Sequence, residues 1–330
     1  MDDLSIIVVT HNTREMTIEC IRSILEQTTH VQYELIVFDS ASTDGSSEAI
    51  RAQFPTVRVI TSLQNVGFGK ANNIAAKSAM GRRLLLINPD TVVLDHAIDR
   101  LNEFAVNAPE ARIWGGRTVF ADGSLNPASC WKDASVWSVF CWAMGLNTIK
   151  SSMFFNPESY PRWKRDSVRP VDIVSGCFFL IDRALWQTLD GFDPVFFMYA
   201  EEADLCLRAR KLGARPRITP TATIVHYGGA SYPQKSEFRI QMLAGRVTLM
   251  DRHWSLLSRM IGRKLYLLMP LTRWLAYAGA AAILRKANYR QNASEWYKVW
   301  GNRWRWASGW TEGAVTAACA ANSETGRHVG

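Results

Sequence analysis

The sequence predicts an α/β fold: a mostly parallel twisted sheet with helices on both faces, followed by a helical C-terminal region rich in tryptophan and arginine. Three observations support this prediction. Apolar, β-branched runs alternate with helix-length segments through the first 115 residues, which is typical of parallel sheets. Polar, turn-forming residues follow two of these runs directly. Basic residues and seven of the thirteen tryptophans lie between residues 251 and 310.

The elements follow from the hydrophobic pattern and its turn signals. Four strands are expected, over 5–10, 34–38, 57–61 and 83–87. Four helices alternate with them, over 13–27, 45–53, 69–79 and 95–107. The stretch 112–170 is irregular and aromatic, and we interpret it as loops over a ligand site. A strand over 171–181 and helices over 183–189 and 201–212 complete the α/β part, the last helix ending at Gly213.

Composition limits the cellular compartment and the binding partners that we expect for this protein. The six cysteines are scattered without a CxxC pair, which favours reduced thiols over disulfides or a zinc site. The first strand begins almost at the first residue, so we expect no signal peptide and a site facing the cytosol. The net charge is +8, and eleven basic residues against Asp251 and Glu295 give the segment 251–310 a charge of +9.

Polar residues stand where two strands end. Asp39 follows the run 34–38, and Asn88-Pro89-Asp90 follows the run 83–87. In open α/β sheets, ligands bind beyond the carboxyl ends of the strands. Asp39 can accept hydrogen bonds from a base or ribose there, although an Asx turn explains the same residue locally.

Five motifs in order carry a family resemblance. They are Ser5 to Asn12, Asp39 to Ser46, Asn65 to Asn73, Asn88 to Asp90, and Ser175 to Ile181 leading through Gly191-Phe192-Asp193 to Tyr199–Arg208. The chain resembles the family 2 glycosyltransferases over about residues 4–230. Asn-Pro-Asp and Phe-Phe-Met-Tyr are similar to the rhamnosyltransferase-like branch. The resemblance implies a GT-A fold, a nucleotide-sugar donor and inversion at the sugar.

The resemblance also implies roles for single residues. Those expected to bind the nucleotide-sugar are Thr10, Asn12, Asp39, Asn65, Gly67, Asn73, Asn88 and Asp90. Those expected to shape the acceptor side are Gly176, Asp193 and Asp204. Locally, Asn65, Gly67 and Asn73 could instead build a tight loop and a helix start, whose backbone amides also suit a diphosphate.

A divalent cation is expected beside the leaving diphosphate. Asp90 is a hard oxygen ligand that suits Mg²⁺ or Mn²⁺. The family often has Asp-x-Asp here, so Asn88 marks the loss of the first carboxylate. His226 matches a position that completes the metal site in relatives, while a purely structural histidine is the alternative.

Inverting transfer needs a carboxylate that takes the proton from the acceptor hydroxyl. The family pair corresponds to Glu201-Glu202, and the aligned position favours Glu202 as the base with Glu201 as the fallback. The alternative is that these acids, with Asp204, merely favour a helix N-terminus.

The C-terminal segment predicts contact with a membrane. Leu265–Leu284 has the length of a span, but Pro270 and Arg273 favour helices that lie in the interface of an anionic membrane. Trp296, Trp300 and Trp304 repeat at helical spacing and predict one aromatic stripe. The alternative is that these tryptophans pack onto the catalytic domain.

Together these features predict three regions. They are a catalytic domain over 1–245 (donor half about 1–115, acceptor half about 171–245), a membrane-associating region over 246–310 and a disordered tail over 311–330. The expected reaction moves L-rhamnose from dTDP-rhamnose to a polyprenyl-diphosphate-linked saccharide at the cytoplasmic face of the membrane. Transfer of galactofuranose or an N-acetylhexosamine from a UDP-sugar is the alternative. A catalytically inactive scaffold protein is the alternative outside the class of enzymes. Nucleic acid is not an expected partner. The sequence does not decide whether the protein forms a homo-oligomer.

Overall fold

The computed structural model describes residues 3–149, 152–228 and 235–325. The chain forms two compact units, each assembled from three separated segments. The first unit comprises Met1–Lys132, Trp163–Pro194 and Glu201–Ser231. The second comprises Asp133–Arg162, Val195–Ala200 and Tyr232–Gly330. The boundary between the two units therefore does not fall at a single position such as residue 245.

All strands of the described residues lie in the first unit. They are β1 (Leu4–Thr10), β2 (Tyr33–Ser40), β3 (Arg58–Ser62), β4 (Arg83–Ile87), β5 (Thr91–Val93), β6 (Ile113–Val119), β7 (Leu125–Asn126), β8 (Cys130–Trp131), β9 (Arg169–Pro170), β10 (Ile173–Val174), β11 (Phe178–Asp182) and β12 (Arg217–His226). The helices are α1 (Arg14–Gln27), α2 (Ser46–Gln53), α3 (Phe68–Lys77), α4 (Ala97–Asn107), α5 (Val136–Met144), α6 (Leu146–Ile149), α7 (Arg183–Thr188), α8 (Glu201–Lys211), α9 (Lys235–His253), α10 (Leu256–Leu284), α11 (Ala287–Gly301) and α12 (Glu312–Thr325).

The main sheet has the order β3-β2-β1-β4-β11-β6-β12-β5. Strands β1 to β4 are mutually parallel, with Thr10 opposite Asp39 and Val8 opposite Ile87. Strand β11 runs antiparallel between β4 and β6, and β12 is parallel to β6. The ends of β1, β2, β4 and β12 and the start of β11 therefore share one edge of the sheet. We call this edge the carboxyl edge.

The predicted α/β fold is confirmed, since the first four strands and helices occur within a few residues of their expected bounds. The expected continuous strand over 171–181 is wrong. Strand β10 pairs with β8 in a separate two-stranded sheet, and β11 joins the main sheet only from Phe178. A turn at Ser175–Gly176 separates them, with the Phe178 backbone N–H donating to the Ser175 carbonyl at 3.4 Å.

The stretch 112–170 is not a set of loops, which corrects the second expectation. Strand β6 lies inside the main sheet between β11 and β12. A Cβ atom on Gly115 would lie 2.5 Å from Val174 Cγ1, and one on Gly116 would lie 2.3 Å from the Ala222 carbonyl oxygen. The two glycines that weaken the strand pattern are thus the residues that such close packing requires.

The second unit is helical and has its own apolar core. Helix α10 packs against α5, α9 and α11, and Trp306 and Trp310 are buried in this core. Helix α11 ends at Gly301, so the expected stripe through Trp304 is wrong, because Trp304 lies in a short 3₁₀ turn. The expected disordered tail is also corrected. Helix α12 covers Glu312–Thr325 and buries Ala314 and Ala318, while residues 326–330 lie outside the described part.

Candidate active site

The loops after β1 and β2 interlock at the carboxyl edge. Asn12 has a left-handed backbone (φ 53°), and its side-chain oxygen accepts from the Thr43 backbone N–H at 2.8 Å. Asp39 is buried and accepts hydrogen bonds from the Ser42 backbone N–H at 2.8 Å and from the Ser47 hydroxyl. Asp39 therefore organises the turn that follows β2, as an Asx residue does.

Two further predicted residues support these loops. Thr10 is fully buried, and its hydroxyl lies 3.0 Å from that of Thr13 and 2.8 Å from that of Thr17, so it anchors the start of α1. The side-chain oxygen of Asn65 accepts from the Ser40 hydroxyl at 3.2 Å and from the Gly67 backbone N–H at 3.0 Å. Gly67 has φ 81° and precedes α3, so it makes the turn into that helix.

Asp90 and His226 come together at the same edge. His226 ends β12 opposite Thr91, and the Tyr227 backbone N–H donates to the Asp90 carbonyl at 3.1 Å. These contacts place Asp90 Oδ1 3.4 Å from His226 Nε2, and both side chains are buried. Asn88 lies beside them, since its backbone N–H donates to the Cys177 carbonyl at 3.2 Å. Residues 136 positions apart thus form one cluster.

The Asp90–His226 geometry fits two ligands of one divalent cation. Ligands at about 2.0–2.2 Å from an ion and at right angles lie roughly 3 Å apart, close to the separation observed here. His226 Nδ1 is buried and has no hydrogen-bond partner among the residues that the structure describes. Burial disfavours the charged imidazole, but Cys177 and Asp90 outweigh it and raise the pKa of His226 to about 11. The imidazole therefore favours its protonated form, and a cation bound here would have to displace that proton.

A second group of possible ligands lies elsewhere. His30, His96 and Asp99 have ligand atoms within 4.8 Å of one another. The Asp99 carboxylate already accepts from three consecutive backbone N–H groups, those of Thr29, His30 and Val31, at 2.9–3.1 Å. These residues precede β2, at the sheet edge opposite Asp39. We therefore assign this group to joining α4 to the loop before β2.

The acid pair begins helix α8 after a strained backbone. Tyr199 and Ala200 both have positive φ angles, 66° and 73°, which is rare for such residues and concentrated at functional sites. Glu201 is buried, and its Oε2 atom has no hydrogen-bond partner within the described part of the chain. Burial, followed by the charge of Glu202, raises the pKa of Glu201 well above its usual range. Glu201 therefore favours its neutral form.

Glu202 stands against the start of β11. A Cβ atom on Gly176 would lie 3.8 Å from Glu202 Cβ and 3.6 Å from the Phe68 ring. Gly176 immediately precedes Cys177, whose carbonyl binds Asn88. The acid pair and the Asn88–Asp90 loop therefore meet at one end of the sheet.

Asp204 points away from this chemistry. Its carboxylate accepts from Arg208 Nε at 2.7 Å, and the other Arg208 nitrogens donate to the Leu189 and Gly191 carbonyls at 2.8 Å each. The pair therefore ties α8 to the turn after α7. Sequence reasoning missed Arg208, although its i+4 spacing from Asp204 was a usable signal.

Asn73 holds the other side of the same turn. Its amide donates to the Phe192 carbonyl at 2.8 Å, and its oxygen accepts from the Phe192 backbone N–H at 2.9 Å. Asp193 follows, half-buried. Asn73 and Asp204 thus shape the loop that leads toward Glu202. Cys177, whose carbonyl accepts from Asn88, lies within the Ser175 to Ile181 motif, but the sequence assigned it no role.

The fold and these clusters define a glycosyltransferase with the GT-A fold. The chain belongs to glycosyl transferase family 2, whose family model matches residues 5–189. In sequence it is 26% identical to the N-acetylglucosaminyl-diphospho-decaprenol L-rhamnosyltransferase of Mycobacterium tuberculosis, over 76% of this chain and 85% of that protein. It is 28% identical to the rhamnosyltransferase WbbL of Escherichia coli K12, over 49% of this chain and 61% of that one.

Solved structures share the fold. The mannosyltransferase PcManGT of Pyrobaculum calidifontis, determined with GDP-Man and Mn²⁺, superposes with a TM-score of 0.55. It is 16% identical and covers 98% of this chain and 87% of its own. GalNAc-T7, determined with UDP, GalNAc and Mn²⁺, gives a TM-score of 0.56 at 14% identity, over 89% of this chain and 55% of that one. At these identities the likeness establishes the fold alone.

Proposed function

We propose that this protein transfers L-rhamnose from dTDP-L-rhamnose, with inversion, to a saccharide carried on a polyprenyl diphosphate. The reaction serves cell-envelope polysaccharide synthesis at the cytoplasmic face of the membrane. The observation that carries the proposal is the similarity to the mycobacterial L-rhamnosyltransferase along 85% of that enzyme. The similarity runs over most of that enzyme's length, which supports a shared donor and a shared kind of acceptor.

Asp90 and His226 hold Mg²⁺ or Mn²⁺ in this proposal. Their 3.4 Å separation and the burial of both side chains support it. When bound, the cation neutralises charge on the leaving nucleoside diphosphate. The loops held by Asn12, Asp39 and Asn65 bind the nucleoside, and the backbone amides at the start of α3 face its phosphates.

Glu202 takes the proton from the acceptor hydroxyl. It is only half-buried and lies at the open end of the sheet, whereas Glu201 is buried beside it. A general base must be within reach of the acceptor hydroxyl, which favours the more accessible carboxylate. Glu201 in its neutral form leaves the negative charge of the pair on Glu202, where proton transfer needs it.

A donor screen tests the proposal. Purified protein is given Mn²⁺ or Mg²⁺ with dTDP-rhamnose, UDP-galactofuranose, UDP-GlcNAc or UDP-glucose, and donor hydrolysis and binding are measured. We expect metal-dependent use of dTDP-rhamnose above the others. Preference for a UDP-sugar would keep the mechanism and overturn the donor, and no binding of any donor would overturn the enzyme.

A further inference from the structure

Helix α10 has two chemically distinct sides. Its buried side consists of Gly262, Tyr266, Met269 and Pro270, which face the helical core of the second unit. By length and composition alone, the 29-residue helix could cross a membrane, with a mean hydropathy of 1.4 over its most apolar window. Thirteen of its residues are exposed in the part of the chain that the structure describes.

The opposite side of α10 is apolar and exposed. Leu257, Ile261, Lys264, Leu268 and Leu275 are all exposed. At 100° per residue these positions fall within about 60° of arc, so they form one line along the helix. We call this line the exposed stripe. Four large apolar side chains in a row on a solvated surface indicate a binding face.

A tryptophan and an arginine border the stripe. A cavity of about 350 Å³ is lined by Leu267 of α10 together with Arg303 and Trp304. Trp304 is 65% exposed, more than any other tryptophan in the described part of the second unit. Tryptophan rings with a polar edge are enriched at the level of lipid headgroups.

The charge around the stripe is positive. Both acids of the segment 251–310 are engaged within the second unit, Asp251 with Arg263 at 2.5 Å and Glu295 with Lys298 at 3.0 Å. Exposed basic side chains remain at Lys264, Arg285, Lys286 and Arg290. A surface that combines apolar and basic side chains complements an anionic bilayer.

We propose that the exposed stripe, with Arg303 and Trp304, docks this protein on an anionic lipid bilayer, with α10 lying along the membrane plane rather than across it. Arg273, on the buried side, donates to the Trp142 carbonyl at 2.8 Å and to Asn147 Oδ1 at 3.2 Å. These bonds tie the middle of α10 to the region of α5. A crossing helix would have to break them and carry the guanidinium into hydrocarbon.

A second copy of the chain is a poorer occupant. In a two-fold dimer, the same surface meets itself. Packing the stripe on its copy would bring both Lys264 side chains and the basic side chains around them into one interface, where like charges repel. The docking depends on the proposed function in one respect: it would bring the enzyme to an acceptor that is anchored in the membrane.

Co-sedimentation of the full chain with vesicles tests the docking. Vesicles of phosphatidylcholine with phosphatidylglycerol are compared with phosphatidylcholine alone. Ile261→Gln with Leu268→Gln should lower partitioning to the anionic vesicles at least about tenfold. The matched control, Val106→Gln with Leu212→Gln, alters two apolar side chains of the first unit that are 57% and 52% exposed, and should leave partitioning unchanged.

Three outcomes would overturn the docking: equal partitioning of both double variants, equal binding to neutral and anionic vesicles, or retention in the membrane after an alkaline carbonate wash. Thermal melting and vesicle-free hydrolysis of dTDP-rhamnose should be unchanged in both variants, which shows that each is folded. Wild-type protein that binds vesicles but uses no rhamnosyl donor would overturn the proposed function and leave the docking standing.

Discussion

At the scale of single residues, the acids of this protein differ in how far the protein itself occupies their oxygen atoms. Asp39 accepts from a backbone N–H and a hydroxyl of its own turn, and Asp204 is paired with Arg208. Asp90 faces a histidine ring, and Glu201 has an unpartnered oxygen among the described residues. Buried polar groups in proteins usually have hydrogen-bond partners, so Asp90 and Glu201 are the stronger candidates for a chemical role.

Asp90→Ala should lower transfer at least about 100-fold and remove the response to Mn²⁺, because it deletes the carboxylate of the proposed cation site. Transfer and donor hydrolysis are measured across a Mn²⁺ titration. Asp122→Ala, which removes an exposed carboxylate from the β6–β7 turn, serves as the matched control. An active, metal-responsive Asp90→Ala enzyme would disprove the assignment.

Glu202→Gln should lower turnover by about 100- to 10,000-fold while donor affinity is retained, because a general base takes part in proton transfer and not in donor binding. Turnover and binding of dTDP-rhamnose are measured separately. Glu201→Gln is the companion variant, and it should lose much less activity since a glutamine resembles a neutral carboxyl. If Glu201→Gln alone is inactive, the two roles must be exchanged.

Glu201 also predicts how stability varies with pH. Its pKa is raised in the folded protein by burial and by Glu202, so the unfolded chain releases this proton first as pH rises above the usual value of 4.5. The contribution is therefore present at low pH and is lost as pH rises through the folded pKa. Glu201→Gln should gain stability over the wild type between about pH 5 and pH 8, measured by urea unfolding. A constant difference across that range would contradict the burial argument.

At the scale of elements, short-range patterns predicted the strands and helices but not the contacts that complete the site. Strands β1, β2 and β4 are continuous apolar runs, which a local pattern finds. Strand β6 was missed because Gly115 and Gly116 weaken the pattern, although close packing on both faces requires them. Asn73 could be placed at a helix start, but its partner Phe192 is 119 positions away, beyond any local signal.

The Asp204–Arg208 pair should matter to stability more than a typical ion pair. Arg208→Met removes the guanidinium that pairs with the buried Asp204 carboxylate and donates to two carbonyls, which should cost about 3–5 kcal/mol in the free energy of unfolding. Arg210→Met on the same helix removes a more exposed pair with Asp172 and should cost at most about 1 kcal/mol. Urea unfolding measures both, and equal losses would show that Arg208 is not a clamp.

At the scale of the whole molecule, amino-acid composition separated a neutral α/β part from a basic helical part, but not the boundary between them. The second unit takes residues 133–162 and 195–200 from within the expected catalytic domain. Val139 and Phe196 belong to its core, together with residues of α9 to α12. Composition cannot reveal this, because aromatic residues before α8 look the same in the sequence whether they line a site or fill the core of another unit.

A chain that ends at residue 245 should therefore be unstable, although the sequence predicts a catalytic domain with that limit. It keeps Val139, Ala143, Phe196 and Phe197 but loses Tyr266, Met269, Trp306 and Trp310, the large side chains that cover them. Exposure of this core should send the shortened chain to the insoluble fraction and expose it to proteolysis. A chain ending at residue 325 keeps every described element and should behave as the full chain does. Soluble yield and limited proteolysis of both decide the matter, and a soluble chain 1–245 that binds dTDP-rhamnose normally would mean that the helical unit is dispensable for folding.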